Sequence, residues 1–271
     1  MSRPFAKYEG LGNDFIVLES VSWPANECTP ELAKRLCDRH RGIGADGVLW
    51  LDRDSDGGLR LVILNADGSR PEMCGNGVRC VAVHDHVEGR VPVGREFVVH
   101  TDAGARATVV KRWDDRASEA IVEVEMGPVR IVRDGVALAG ATALAIDVGN
   151  PHAVVFDDVA TDREMDVVRA AESNREVWPR GVNVEFARRT ADDSGARVRV
   201  HERGVGWTEA CGTGACAVAA AMLAARGETS GSRWVDLDGG RLEITLGPRD
   251  DGRTHARMRG PARRVFAGAI G

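Results

Sequence analysis

Cys74-Gly75-Asn76-Gly77 and Cys211-Gly212-Thr213-Gly214 are the stretches whose reading decides the fold. They lie 137 residues apart (211 − 74), about half of the 271-residue chain. The same offset carries Gly12-Asn13 onto Gly149-Asn150 and Gly44-Ala45-Asp46 onto Gly181-Val182-Asn183. It also carries Asn65 onto Glu202, each nine residues before its cysteine. Four landmarks at one offset describe a duplication. Each half runs through a Gly-Asn turn, a Gly-rich turn, a strand and a Cys-Gly-x-Gly helix start. With two copies the arrangement is a pseudo-dimer, not a solenoid. The join is expected near the polar stretch Arg112 to Glu119, giving halves of residues 1–115 and 116–259.

Working outward, short β-branched or alternating runs separated by Gly, Asp and Asn read as strands. They are Phe15–Leu18, Leu59–Leu64, Arg106–Val110, Ile121–Met126, Ala153–Phe156, Arg197–His201 and Arg241–Leu246. Thr29-Pro30 is an N-cap with proline at the first helical position, opening a helix towards Arg39. Thr161-Asp162-Arg163-Glu164 reads as a capping box, opening a helix through about Ser173. Runs of strands with interspersed helices place the chain in the α+β class rather than among doubly wound sheets. No glycine-rich phosphate loop is present, so no nucleotide site is expected.

Composition removes other classes. With 43% hydrophobic and 28% charged residues the chain is an ordinary globular protein, and its net charge of −5 gives no reason to expect nucleic acid. Met1 to Gly10 lacks the apolar stretch of a secretory signal, and no run of about eighteen apolar residues suggests a membrane span. The expected compartment is the cytoplasm. Six cysteines (Cys28, Cys37, Cys74, Cys80, Cys211, Cys216) in such a chain argue against a disulfide framework. The spacings Cys74-x5-Cys80 and Cys211-x4-Cys216 do not suit zinc, so no metal is expected.

Behind Cys211, the segment Ala215 to Ala225 is apolar all round, which reads as a buried helix closed by Gly227. Its N-terminus would aim unpaired N–H groups and the positive end of its dipole at whatever lies beside Cys211. The half containing Cys74 repeats the arrangement, with a more polar end at His84 to Glu88. A cysteine at such a terminus is expected to have a lowered pKa. The free N–H groups suit a carboxylate. Two such sites fit inversion of a carbon centre, one thiolate removing a proton and the other thiol returning one from the opposite face. Cys28, Cys37, Cys80 and Cys216 read as inert small hydrophobes.

The sequence resembles the diaminopimelate epimerases. The residues that carry this are Lys7 to Phe15, Arg41 to Gly47, Asn65 to Ser69, Glu72 to Arg79, Gly149 to His152, Val182 to Phe186, Glu202 to Gly204, Ala210 to Gly214 and Gly260 to Gly268, in the family order. The resemblance implies conversion of LL-diaminopimelate to the meso isomer without pyridoxal phosphate or any other cofactor, in lysine and peptidoglycan synthesis. It implies two similar domains, each a mostly antiparallel β-barrel around a central helix, with residues 260–271 returning to the first, and a homodimer. Cys74 and Cys211 become the acid/base pair. Asn13, Asn65, Asn150, Asn183, Glu202 and Arg203 would hold the substrate, with Gly75, Asn76, Gly212 and Thr213 donating backbone N–H groups. His152 and Glu202 would tune the thiols.

The chemical types fit a substrate with two ammonium and two carboxylate groups. Two positions depart from the family pattern: Gly47, where many members carry Gln, and Trp207-Thr208, where many carry Glu-Thr. The nearest alternative is a proline or hydroxyproline racemase, against which stands Cys-Gly-Asn-Gly in place of Cys-Gly-His. A phenazine-type isomerase shares the architecture and lacks the cysteine pair. A non-catalytic binding or thiol-redox protein on the duplicated scaffold is the alternative from another class. Neither a nucleic acid nor a membrane is expected as partner.

Overall fold

The computed structural model describes residues 2–54, 58–249 and 251–271. Contacts divide the chain into two units, Met1–Val124 with Gly260–Gly271, and Glu125–Arg259. The first holds β1 (Arg3–Gly10), β2 (Asn13–Glu19), α1 (Pro30–Cys37), β3 (Gly47–Arg53), β4 (Leu59–Asn65), α2 (Gly75–Val87), β5 (Glu96–Thr101), β6 (Gly104–Asp114) and most of β7 (Glu119–Pro128). The second holds β8 (Arg130–Leu138), β9 (Ala141–Asp147), β10 (Pro151–Val155), α3 (Glu164–Ser173), β11 (Asn183–Arg189), β12 (Gly195–Glu202), β13 (Gly206–Thr208), α4 (Gly212–Ala224), β14 (Gly231–Leu237) and β15 (Gly240–Pro248). β16 (Thr254–Ile270) begins in the second unit and, from Gly260, belongs to the first.

Shifted by 137, the elements of the first unit fall on those of the second: β1 on β9, β2 on β10, α1 on α3, β3 on β11, β4 on β12, α2 on α4, β5 on β14, β6 on β15 and β7 on β16. The helices α2 and α4 coincide end to end, since 75–87 becomes 212–224. The fold is therefore the duplicated α+β architecture expected from the two cysteine motifs. Residues 112–119, where the join was expected, form a hairpin that pairs Asp114 with Glu119. The division falls later, between Val124 and Glu125, inside β7.

In the first unit the ladder runs β1-β2-β3-β4-β5-β6-β7-β16, and β16 pairs back to β1, closing an eight-stranded barrel. Two of its pairings, β2/β3 and β4/β5, are parallel. Parallel neighbours need a crossover, and α1 and α2 lie in those two connections. Ile16, Leu18, Val48, Trp50, Val62 and Leu64 pack with Leu32, Ala33 and Leu36 of α1. Alternation along the strands therefore turns Phe15, Val17, Leu49, Leu51, Leu61 and Ile63 to the opposite face, which α2 fills. Strands covered on both faces read as apolar runs, which is why β2 and β4 were legible in the sequence.

The second unit repeats the order, with parallel pairs at β10/β11 and β12/β14. Here α3 packs on one face of the sheet through Val167, Val168 and Ala171, and α4 packs against β9 to β12, β14 and β15. Among the described residues no rung joins β8 to β7, so this unit shows no closing ladder.

Local capping follows the sequence at one helix and departs at another. Thr29 Oγ1 accepts from Leu32 N at 3.2 Å, as expected, though α1 stops at Cys37. The expected capping box at Thr161 does not form. Its Glu164 is ion-paired with Arg199 instead of reaching back, and Arg163 becomes the N-cap without a side-chain bond. Gly227, at φ 70°, follows the end of α4 as expected. No helix among the described residues is long and apolar enough to cross a membrane.

Candidate active site

Cys74 is the N-cap of α2, in extended conformation (φ −140°, ψ 113°), and its sulfur accepts from Gly77 N at 3.5 Å. Asn13, at the start of β2, brings Oδ1 to 3.8 Å from that sulfur, and the same oxygen accepts from Asn76 Nδ2 at 3.3 Å. Asn13 is held in turn by Asp46, whose Oδ2 accepts from its Nδ2 at 2.9 Å. Arg39 fixes both Asp46 and Asp14 at 2.8 Å, and Lys7 pairs with Asp14 at 2.7 Å. Burial works against ionised Asp14, but the hydrogen bonds from Arg39 and Lys7 win and hold its carboxyl below the usual range. Arg79, wholly buried on α2, donates from Nε to Pro261 O at 3.0 Å. Burial depresses its pKa and the charge of Cys74 opposes that, so a buried cation is within electrostatic reach of the first thiol.

Cys211 caps α4 in the same conformation (φ −131°, ψ 109°) and is buried. Its sulfur lies 3.5 Å from Thr213 Oγ1. Glu202, at the end of β12, accepts from Thr208 Oγ1 at 2.6 Å and is hydrogen-bonded to Cys211. Burial raises the pKa of Glu202, an effect only partly offset by those two bonds. Burial also pushes the Cys211 thiol well above its ordinary range, and the charges of Glu202 and Glu185 push it further. The lowered pKa expected at a helix N-terminus is thus overturned here. A terminal dipole amounts to roughly half a charge, and two carboxylates plus desolvation outweigh it. Burial acts on the remaining cysteines in the same direction. Burial raises Cys28 to about 11 and Cys37 to about 12, and it raises Cys80 and Cys216 as well.

The structure brings some of the expected residues to the thiols and not others. Asn13 and Asn76 sit with Cys74, Thr213 and Glu202 sit with Cys211, and Asn150 and then His152 follow Thr213 by successive hydrogen bonds. Gly75 and Gly212 are the first helical residues after the two caps. Asn65 instead closes its own turn, donating to Ser69 Oγ at 2.9 Å. Asn183 Oδ1 accepts from Arg203 N at 2.9 Å, which braces the β12 end. The exposed Arg203 guanidinium donates to Arg180 O at 2.6 Å and makes no ion pair among the described residues. No group of three or more His, Cys, Asp or Glu among the described residues could hold a metal ion.

The family model described as diaminopimelate epimerase matches residues 5–132 and 144–265. A diaminopimelate epimerase of Microcystis aeruginosa is 37% identical over 288 residues, spanning 99% of this chain and 99% of that relative. The chain belongs to the diaminopimelate epimerase family. It is accordingly an isomerase of the epimerase type. Among solved structures it is similar to a phenazine biosynthesis protein of Bacillus anthracis (TM-score 0.73, 13% identity, covering 100% of this chain and 99% of that one). It is also similar to a hydroxyproline epimerase from Agrobacterium vitis (TM-score 0.71, 17% identity, 99% and 91% covered). At these identities the likeness is one of fold, and the family assignment rests on the first two comparisons.

Both departures from the pattern of the diaminopimelate epimerases have a local cause. A Cβ on Gly47 would stand 2.8 Å from Leu64 O and 3.4 Å from the Phe15 ring, so a side chain there would require the strand pairing to shift. Trp207 pairs with His201 across the β12–β13 hairpin and packs on Phe186 and under Arg199, at 5.9 and 4.4 Å. Thr208, the next residue, points the other way, to Glu202. Trp207 is therefore a packing residue on the outer face. Sequence reasoning missed Thr208 and Glu185 as neighbours of the thiol. Glu185 stands in the Val182–Phe186 motif, but which side of a doubly covered strand it faces is not visible from local pattern.

Proposed function

We propose that this epimerase interconverts LL- and meso-diaminopimelate by two-base proton transfer at the α-carbon, with Cys74 and Cys211 as the pair. The observation that carries the reading is a thiol at the N-cap of a buried helix in each unit, with opposite electrostatic surroundings. Cys74 has the Gly77 N–H and a buried guanidinium nearby, which favour thiolate. Cys211 has carboxylates nearby, which favour thiol. In the scheme, the Cys74 thiolate takes the α-proton and the Cys211 thiol delivers its own to the opposite face. The enzyme is left with thiol and thiolate exchanged, ready for the reverse conversion. The two sulfurs supply base and acid, so the scheme needs no pyridoxal phosphate.

Charge that develops on the α-carboxylate is stabilised by preaimed N–H groups of Gly75, Asn76, Gly212 and Thr213, an arrangement worth several kcal/mol in a dry site. Asn13, Asn65, Asn150, Asn183, Glu202 and Arg203 hold the ammonium and carboxylate groups, and His152 and Glu202 tune the thiols. Asn65 must leave Ser69 to do so. The exposed Arg203 guanidinium, free of any carboxylate among the described residues, suits the distal carboxylate. Family membership supports a place in lysine and peptidoglycan synthesis, a cytoplasmic setting and a homodimer.

The test is incubation of reduced protein with LL-diaminopimelate in D2O, following the α-proton by NMR and the product by chiral chromatography. Deuterium at the α-carbon with meso product is expected, with a loss of about a thousandfold or more in Cys74→Ala and in Cys211→Ala. Exchange with proline or hydroxyproline instead would move the chain to a racemase reading. Epimerisation retained in Cys211→Ala would sink the two-base assignment.

A further inference from the structure

Glu185 is a buried carboxylate that the scheme above does not use. It is 0% exposed, and Oε1 lies 2.6 Å from Nδ1 of His152, itself 0% exposed. Oε2 has no hydrogen-bond partner among the described residues. Burying a carboxylate with one oxygen unsatisfied is costly and calls for a reason.

The scaffold itself does not require it. Leu49 pairs with Ile63 in the first unit as Glu185 pairs with Val200 in the second, and Ile63 and Val200 are related by the common offset. A Cβ on Gly77 would meet Leu49 at 3.0 Å, and one on Gly214 would meet Glu185 Oε1 at 2.7 Å. Each side chain therefore lies against the first turn of its cysteine helix. Phe15 likewise holds the place of His152. The first unit fills this space with Leu and Phe, so the acid and the imidazole are additions peculiar to the Cys211 side.

From Glu185 a chain of hydrogen bonds runs to the sulfur. His152 Nε2 lies 2.9 Å from Asn150 Oδ1, Asn150 Nδ2 donates to Thr213 Oγ1 at 3.2 Å, and Thr213 Oγ1 is 3.5 Å from Cys211 Sγ. An amide oxygen only accepts, so Nε2 must carry a hydrogen. Nδ1 and Glu185 then share one further proton between them. Thr213 Oγ1 accepts from Asn150, which orients the hydroxyl and leaves its hydrogen free to turn to the sulfur.

We propose that Glu185 is a positioning residue for Cys211, holding the Nε2–H form of His152 and, through Asn150 and Thr213, turning the Thr213 hydroxyl onto the sulfur. The inference deepens the reading of Cys211 as acid and base and rests on it. Glu202, the other carboxylate acting on this thiol, comes from β12 and lies outside the chain.

A double-mutant cycle tests it. Epimerisation, and trapping of Cys211 by iodoacetamide read from its peptide mass, are measured at one pH in wild type, Glu185→Leu, Thr213→Val and the double variant. A Gln amide would still donate to Nδ1 and keep the Nε2–H form, so the variant at this position is Glu185→Leu, the residue the first unit carries at the matching place. Alone it is expected to lower kcat about tenfold or more with KM within about two-fold, and to change the trapping rate. In the Thr213→Val background the same change is expected to cost less than about two-fold, because the chain is already cut. Additive effects in both measurements would overturn the proposal, since a structural or purely electrostatic role does not pass through Thr213. Should Glu185→Leu not fold, His152→Phe, the residue at the matching place in the first unit, cuts the same chain and is judged by the same criterion. Non-additive trapping in a protein that still epimerises as Cys211→Ala would leave Glu185 in its role and remove Cys211 from the chemistry.

Discussion

Cys74 and Cys211 cap helices of the same length at the same offset, with backbone angles within about ten degrees of each other, yet the space around each sulfur is filled by different chemistry. Where the first unit has Arg79 in its helix, the second has Cys216. Where the first has Leu49 and Phe15 beneath the first turn, the second has Glu185 and His152. Asn65 is replaced by Glu202, and Asn76 by Thr213. The charge-changing replacements point the same way: a buried cation behind Cys74, and two carboxylates around Cys211. Duplication supplies the shared geometry, a thiol aimed by a helix N-terminus. In the proposed scheme, divergence of a few residues around each sulfur sets which of the two holds the proton at rest.

The comparison is broken most severely at Glu202. Its carboxylate raises the Cys211 pKa after burial, so Glu202→Gln lets thiolate form at lower pH. In the proposed scheme Cys211 must be protonated to act, and the alkaline limb of the kcat/KM profile is expected to move to lower pH. The acid limb, set by Cys74, stays. A loss of about tenfold or more at the optimum is expected. Stability moves the other way. Glu202 has a folded pKa raised above its unfolded value, chiefly by burial. Its favourable contribution is therefore present only below the unfolded pKa and is lost as pH rises through the folded one. At neutral pH the ionised side chain is a liability, and Glu202→Gln is expected to raise Tm by a few degrees. An unmoved alkaline limb would detach Glu202 from the Cys211 proton.

The shared half of the comparison was legible in the sequence and the divergent half was not. The offset of 137 located both helices, because Cys-Gly-x-Gly, the Gly-Asn turns and the alanine run are local signals. The seven runs fall on β2, β4, β6, β7, β10, β12 and β15, Ala153–Phe156 overrunning β10 by one residue. The remaining strands were not read from the sequence, among them β8 with its exposed Arg130 and Arg133. The Thr161 cap failed because Arg199, distant in sequence, takes Glu164. The Cys211 pKa failed for the same reason: its carboxylates arrive from β11 and β12. Even the match of Glu185 to Leu49 is hidden, since β11 runs one residue off the common offset in both of its ladders.

A smaller effect sharpens the contrast at the other end of the helices. The C-terminal turn of α2 is tied down by polar bonds: Tyr8 Oη lies 3.0 Å from His84 Nδ1, His84 Nε2 lies 2.6 Å from Glu19, and Arg90 pairs with Glu19 at 2.7 Å. The positions matching Tyr8, Glu19 and His84 in the second unit are Ala145, Phe156 and Ala221. His84 and Arg90 hold the Glu19 carboxyl at about 2, against its ordinary 4.5. A depressed folded pKa contributes stability that is present above the unfolded value and is lost as pH falls through the folded one. The window is therefore between 4.5 and about 2. Glu19→Gln is expected to cost about 2 kcal/mol at neutral pH, seen by denaturant unfolding. On acidification, amide exchange should rise in α2 before α4. Simultaneous exchange in both helices would show that the network carries no separate stability.

The smallest effect is expected at Trp207, and its position relative to the thiol makes the test informative. Trp207 and Thr208 are neighbours on β13, so their side chains leave the strand on opposite faces. Thr208 bonds Glu202 at 2.6 Å, while Trp207 stacks edge-on to His201 at 5.4 Å and lies under the Arg199 guanidinium at 4.4 Å. A tryptophan 40% exposed in such contacts contributes about 1 kcal/mol through ring packing and the cation. Trp207→Thr should therefore lower stability by about that amount and leave kcat and KM within about two-fold. Thr208→Val, which removes the hydroxyl from Glu202, should act on activity through the Cys211 thiol and hardly on stability. If Trp207→Thr instead raised KM several-fold for diaminopimelate, the outer face of the hairpin would have to be counted with the substrate site. The asymmetry between the two units would then extend from proton placement to recognition.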